Sequence, residues 1–340
     1  MRRFVLFAVL IAVLLSGCTQ IAPKTERVSY TATYLTLFDT LTTIKGFAES
    51  EAEFQSVVQQ IHDELEEYHQ LFDIYNSYDI PNLKTVNDAA GIAPVQVDSR
   101  IIALLLDCKA YYDLTNHTVN VAMGSVLSLW HDARTHGIND PLNAALPVEN
   151  ALLAAAQHMD FDSVIIDEVA STVFITDPDV SLDVGAVAKG WATQRVAENA
   201  PEGLLISVGG NVYATGPKDE NGTPWVVGIQ DPDSSDYLHT IYLSKGSVVT
   251  SGDYQRAYTV AGKSYHHIID PNTLYPSAYW RSVTIVCEDS GLADALSTAL
   301  FVLPQDEGQA LLDQCGAMAL WVCMDGTILY SPGFETLIRT

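Results

Sequence analysis

Four short stretches in the second half of this chain gather glycines, small hydroxyls, carboxylates and one cation: 183–190 (DVGAVAKG), 207–211 (SVGGN), 250–254 (TSGDY) and 294–298 (DALST). Glycine lets a backbone approach a ligand closely and adopt positive φ without steric cost. A loop that opens into a helix aims free amides and a positive dipole end at anything anionic. Lys189 adds a fixed charge, the one cation in the four stretches. Asp294 and Thr298 are four apart, so on a helix they share a face and offer hard oxygen ligands to one Mg²⁺. The chemistry these residues point to is phosphate handling assisted by a metal. Neither a G-x-G-x-x-G nor a Walker motif is present, which excludes the standard dinucleotide-fold and P-loop readings. Taken alone, Asp183 reads equally well as a helix cap, and 294–298 as an ordinary helix face.

The elements that must position these residues follow from periodicity. Residues 30–47 read as two strands meeting around Phe38-Asp39-Thr40, and 51–68 as a helix with Phe54, Val57, Ile61 and Leu65 inward. Residues 71–86 are turn-rich. A strong helix is expected over 98–115, a smaller one over 119–130, a polar, exposed excursion over 131–147, and a further helix over 148–159. Short strands are expected at 164–166 and 173–175. From residue 180 the pattern becomes strand, glycine turn, helix (188–199), strand (204–208), glycine turn, strand. Further strands are expected at 225–230, 239–243, 248–250, 257–260 and 282–287, a helix at 292–302, and a last hairpin turning at Asp325-Gly326. Helices and short antiparallel strands without regular βαβ alternation predict an α+β fold.

At 340 residues and 48% hydrophobic, the chain can fill a substantial core in one large domain or two modest ones. Its net charge of −25 excludes a nucleic-acid-binding surface. The same field repels any phosphate ligand at long range, so a nucleotide site here needs local cations. The N-terminus reads as a targeting segment: Arg2 and Arg3, then an apolar run over 4–15 too short to span a bilayer, then Leu15-Ser16-Gly17-Cys18, which resembles a lipobox. The expected organisation is a signal peptide over 1–17, a lipidated Cys18 with a polar tether to residue 29, and one folded domain over 30–340, outside the cytoplasm and anchored to the membrane. Cys108, Cys287, Cys315 and Cys323 remain; they lack zinc-site spacing and specify no disulfide pairing.

Residues 183–191 (DVGAVAKGW), 250–254, 267–271 (HIIDP) and 293–300 (ADALSTAL), in that order, resemble the signature segments of the ApbE family of FAD:protein FMN transferases, many of them membrane lipoproteins. The resemblance covers roughly residues 30–335. It implies two packed subdomains of helices and antiparallel sheets with a nucleotide cleft between them, FAD as substrate, and Mg²⁺ as cofactor. By the same resemblance Asp183 and Lys189 contact the flavin nucleotide, and Ser251, Gly252 and His267 sit beside it. Asp294, Ser297, Thr298 and the carbonyl of Ala186 are implied metal ligands, Ala186 standing where relatives usually carry glycine. Asp294 and His267 are the implied catalytic pair, the proton acceptor being His267 or a nearby carboxylate. His267 rather than His266 matches the family's histidine. Tyr75, in 72–75 (FDIY), matches a tyrosine beside the isoalloxazine or adenine ring. Phe38 stands for methionine in a Met-Gly-Thr segment, with Asp39 replacing the glycine, and Thr118-Val119-Asn120 for Ala-Phe-Asp. Leu274 departs from a Thr-Gly-Tyr-Pro turn. The implied activity is transfer of FMN from FAD to a Thr or Ser hydroxyl of proteins with an S/T-G-A-S/T motif, in redox complexes of the Rnf or sodium-pumping quinone-reductase type. Two further readings of the same site are an FAD pyrophosphatase and a flavin-binding lipoprotein without turnover.

Overall fold

A computed structural model describes residues 27–340, so the targeting segment and Cys18 lie outside the described residues. Its frame is one antiparallel sheet of eight strands whose spatial order is their chain order: Val28–Tyr34, Thr42–Ala48, Leu204–Val208, Asn211–Ala214, Gly246–Gly252, Trp280–Cys287, Met318–Cys323 and Ile328–Tyr330. Every other element is an insertion between consecutive strands of this meander, except a last 3₁₀ turn, Phe334–Leu337, which follows the final strand. The helices are α1 (Glu51–Phe72), α2 (Leu83–Asp88), α3 (Ser99–Leu114), α4 (Gly124–Asn139), α5 (Glu149–Ala155), α6 (Ala188–Asn199), α7 (Ser290–Val302) and α8 (Gln305–Cys315). A small sheet of Val95–Gln96, Val164–Asp167 and Thr172–Ile175 sits among α1 to α5, and two hairpins complete the chain.

The central strands are buried on both faces, and their side chains divide by the period of two. Val249, Val283, Ile285 and Trp321 enter the main core, which they share with α1, α3, α6 and α7. Val248, Val286, Leu320 and Val322 enter a second cluster on the other face, covered by the hairpin of Trp225–Gln230 and Tyr237–Leu243. A third cluster gathers Val126 and Trp130 of α4, Leu152 of α5, and Tyr258, Ile269 and Leu274. The α+β expectation is met, with antiparallel sheets throughout.

Two expectations about elements are corrected. Residues 131–147 do not begin as an exposed excursion, because α4 continues to Asn139; its polar residues line one face while Trp130 and Gly137 are buried. Gly137 permits this, since a Cβ there would stand 2.6 Å from the Tyr258 ring. The helix also starts later than residue 119. At Gly124 the backbone packs directly on Ser181, where a Cβ would meet the carbonyl oxygen at 2.4 Å. Helix α8 is an element the expected pattern lacks, although Pro304 before it, Asp306 and Glu307 in its first turn, and Gly316 at φ 64° after it are ordinary start and stop signals.

Candidate active site

A cavity of about 510 Å³ lies between the α4 cluster and the wall formed by α6, α7 and the central strands. The segment leading into α6 is fixed from the opposite side. The Gly124 N–H donates to the Ser181 carbonyl at 2.9 Å, and the Asp183 N–H to the Val121 carbonyl at 2.8 Å. Helix α6 has no side-chain cap of its own at Val187. Its third amide, Gly190, is capped from α7 instead: the N–H donates to Asp294 Oδ2 at 2.8 Å. A Cβ at Gly190 would stand 2.3 Å from the Ser290 carbonyl oxygen and 2.4 Å from Asp294 Cβ. Only glycine allows the two helices to cross this closely.

Lys189 Nζ reaches the same Asp294 oxygen at 3.4 Å and the Gly185 carbonyl at 3.2 Å. Asp294 is 4% exposed. Burial pushes its carboxyl above the usual range, and Lys189, the Gly190 amide and Asn211 pull in the opposite direction. Asn211 is buried on the same wall and its Oδ1 has no partner. Thr298 lines the cavity one helical turn after Asp294, and Ala186 lines it beside Lys189. Ser297 is placed differently. Fully buried behind this wall, its hydroxyl donates to the Asp294 carbonyl at 2.9 Å and meets Ser251 Oγ at 2.8 Å. It ties α7 to the strand Gly246–Gly252 rather than facing the cavity. Gly252 lies outside the lining as well, whereas Thr250 and Ser251 belong to it.

The two adjacent histidines differ. His266 is engaged by backbone on both sides, accepting from the Ile268 N–H at 3.2 Å and bonding the Ser277 carbonyl at 2.7 Å. His267 lines the cavity and its Nδ1 has no partner. Burial, then Arg256, Arg134, His266 and Lys189, lower its imidazole to about 3, so it is neutral at physiological pH. Asp183 also faces the cavity; burial raises its carboxyl against the Gly185 amide, His131, Arg256 and Arg134.

Phe38, Tyr75, Thr118, Val119 and Asn120 all line the cavity. Phe38 and Asp39 both adopt positive φ, 52° and 51°, a region that favours glycine and accounts for the Gly that Asp39 replaces in the resembled segment. The Phe38 N–H donates to His69 Nδ1 at 3.2 Å. The Asn120 side chain is spent on the fold, accepting from Ala122 N–H and donating to the Met159 carbonyl, each at 2.8 Å. Tyr75 sits 5.3 Å from the His131 ring, centroid to centroid.

Sequence reasoning missed Arg134, Arg256 and His131, all of which line the cavity. A signal for two of them existed. Met123, Leu127, Trp130, His131 and Arg134 fall at helical spacing, and following that period past Trp130 would have carried α4 and its Arg into the site. Arg256 lies in a loop at φ 44° and carried no such signal.

Comparison with known proteins points one way. The profile of the ApbE family matches residues 36–321. An FAD:protein FMN transferase from Klebsiella pneumoniae is 34% identical over 67% of this chain and 70% of its own. One from Treponema pallidum is 33% identical over 76% and 75%. The solved ApbE protein of Thermotoga maritima superposes with a TM-score of 0.80 at 30% identity, covering 92% of this chain and all of that one. The flavin transferase ApbE from Vibrio cholerae gives 0.75 at 22% identity, a likeness of fold.

Proposed function

This chain belongs to the ApbE family, and we propose that it transfers FMN from FAD to a Thr or Ser hydroxyl of an acceptor protein, releasing AMP. The observation that carries the reading is the convergence of Asp294, Lys189 and the start of α6 on one wall of a cavity of nucleotide size. The donors along that wall, the Asp294 carboxylate, the Thr298 hydroxyl and the Ala186 carbonyl, are hard oxygens that fit Mg²⁺. When bound there, the ion would neutralise phosphate charge around the scissile bond.

The chain's own residues do the rest. Lys189 and the backbone at the start of α6 orient the phosphates. Asp183 and Tyr75 meet the ring end of the ligand. His267, neutral and with a free ring nitrogen, accepts the proton of the attacking hydroxyl, and bound phosphate raises its basicity by offsetting the cations around it. The lipobox-like Leu15-Ser16-Gly17-Cys18 supports an extracytoplasmic lipoprotein held at the membrane through Cys18. Its acceptors carry an S/T-G-A-S/T motif and belong to flavinylated redox complexes of the Rnf or sodium-pumping quinone-reductase type.

The test is incubation with FAD, Mg²⁺ and an acceptor peptide. The expected result is a peptide heavier by FMN, with one AMP released per transfer. Free FMN with AMP and no labelled peptide would make it a hydrolase, and unchanged bound FAD a binding protein. Asp294→Ala should cut transfer by about 10²-fold or more, the scale for one preorganised charge-stabilising group.

A further inference from the structure

Five arginines in the folded domain lie near carboxylates or the cavity, and they divide sharply. Arg100, Arg195 and Arg281 each hold a carboxylate in an ion pair. Arg134 and Arg256 hold none within 4.0 Å among the described residues, although the chain carries 42 acidic residues. They line the cavity together and are near enough to repel each other. Arg134 is aligned by His131, with Nη2 3.0 Å from its Nδ1. Arg256 is presented from a residue in the left-handed region, a strained conformation for a side chain of its size. Both act electrostatically on His267 and Asp183, and Lys189 acts on His267 as well. The imidazole is therefore within electrostatic reach of two cationic groups: Lys189, already shared with Asp294, and the arginine pair.

We infer that Arg134 and Arg256 form a second anion subsite, which receives the phosphate of the leaving adenylate. The inference rests on the flavin-transferase reading. In that reaction the acceptor oxygen bonds to the flavin-side phosphorus and the bridging P–O bond breaks. The electron pair of that bond stays on the adenylate oxygen, and the hydroxyl proton passes to His267. The adenylate phosphate thus gains negative charge as the bond breaks. Guanidinium groups match a phosphate bidentately and stabilise such developing charge. Two of them held together with no carboxylate in ion-pair contact are poised for an external anion. Tyr75, against His131, offers an aromatic surface for a purine on the same side.

The experiment titrates the full chain, with Mg²⁺ present, against FAD, AMP and FMN separately. Wild type is compared with Arg134→Gln, Arg256→Gln and the corresponding Lys variants, with thermal unfolding run on each. AMP affinity should fall by about tenfold or more in each Gln variant, the loss of one hydrogen bond to a charged group. The Lys variants should recover part of it, and FMN affinity should move by less than about threefold. Equal or larger losses for FMN would assign the pair to the flavin phosphate and overturn the inference. So would unchanged AMP affinity in variants that still bind FAD. If wild type itself fails to bind FAD, the transferase reading falls first, and this inference with it.

Discussion

Asp294 illustrates how one side chain can serve fold and chemistry together. Its Oδ2 caps α6 through Gly190 and pairs with Lys189, while the carboxylate stands on the cavity wall. Removing it therefore leaves a helix start uncapped and a lysine unpaired. Loss of activity in Asp294→Ala must accordingly be read beside its stability. His267 permits a cleaner test. Its folded imidazole titrates near 3, below the ordinary 6.5 of the unfolded chain. A histidine lowered in this way costs nothing above pH 6.5. As pH falls below that value the unfolded state binds a proton that the folded state refuses, so stability declines towards pH 3. At pH 5 the cost is about 2 kcal/mol, from 1.36 kcal/mol per unit. Asp183 and Asp294 carry the opposite sign, because burial raises both carboxyls and their cost is relieved on acidification. The comparison that isolates His267 is therefore denaturant unfolding of wild type and His267→Gln at pH 7 and pH 5. The variant should lose less stability on acidification by about 2 kcal/mol. Parallel losses would show that the folded chain does not hold the His267 imidazole below its ordinary range.

At the scale of elements, the site depends on how closely α6 and α7 cross. Replacing Gly190 by Ala forces a methyl group into the Ser290 carbonyl and Asp294 Cβ, neither of which is a flexible side-chain end. Overpacking of this kind costs about 1–3 kcal/mol, and here it also displaces the Asp294 carboxylate. Gly190→Ala should unfold at lower temperature and transfer FMN far more slowly, although no side chain facing the cavity has been changed. Normal transfer rates in that variant would separate the crossing from the chemistry. How much of this was legible beforehand follows from range. The start of α6, the 294–298 face and the strand hairpins are written in contiguous residues, and periodicity reads them. The pairing of Asp294 with Gly190 spans 104 residues, and that of Ser251 with Ser297 spans 46; nothing local in the sequence announces either. The burial of Ser297 behind the wall belongs to the same class. Helix α4 failed for another reason: a polar, half-exposed amphipathic helix with an internal glycine imitates a loop when only its composition is weighed.

The whole molecule sets the electrostatic terms on which any nucleotide must bind. With 17 Lys and Arg against 42 Asp and Glu, the outer field repels a dianionic ligand, yet Lys189, Arg134 and Arg256 all face one cavity. The two contributions respond differently to salt. The long-range repulsion acts across many exposed carboxylates and is screened within about 8–10 Å at physiological ionic strength. The attraction acts at contact distance inside a partly closed cleft and is screened less. Raising salt from low to moderate concentration should therefore leave FAD affinity nearly unchanged or improve it, whereas a basic nucleotide-binding surface loses affinity steeply. Lys189→Ala should weaken FAD binding by about 1.5–3 kcal/mol, the range for a hydrogen bond to a charged group. Its salt response should turn more positive than that of wild type, because attraction has been removed while the repulsive field remains. Titration of both proteins with FAD at low and moderate salt measures the two effects together. A steep loss of wild-type affinity with salt would mean that exposed cations dominate the encounter. Unchanged affinity in Lys189→Ala would place the start of α6 away from the phosphates.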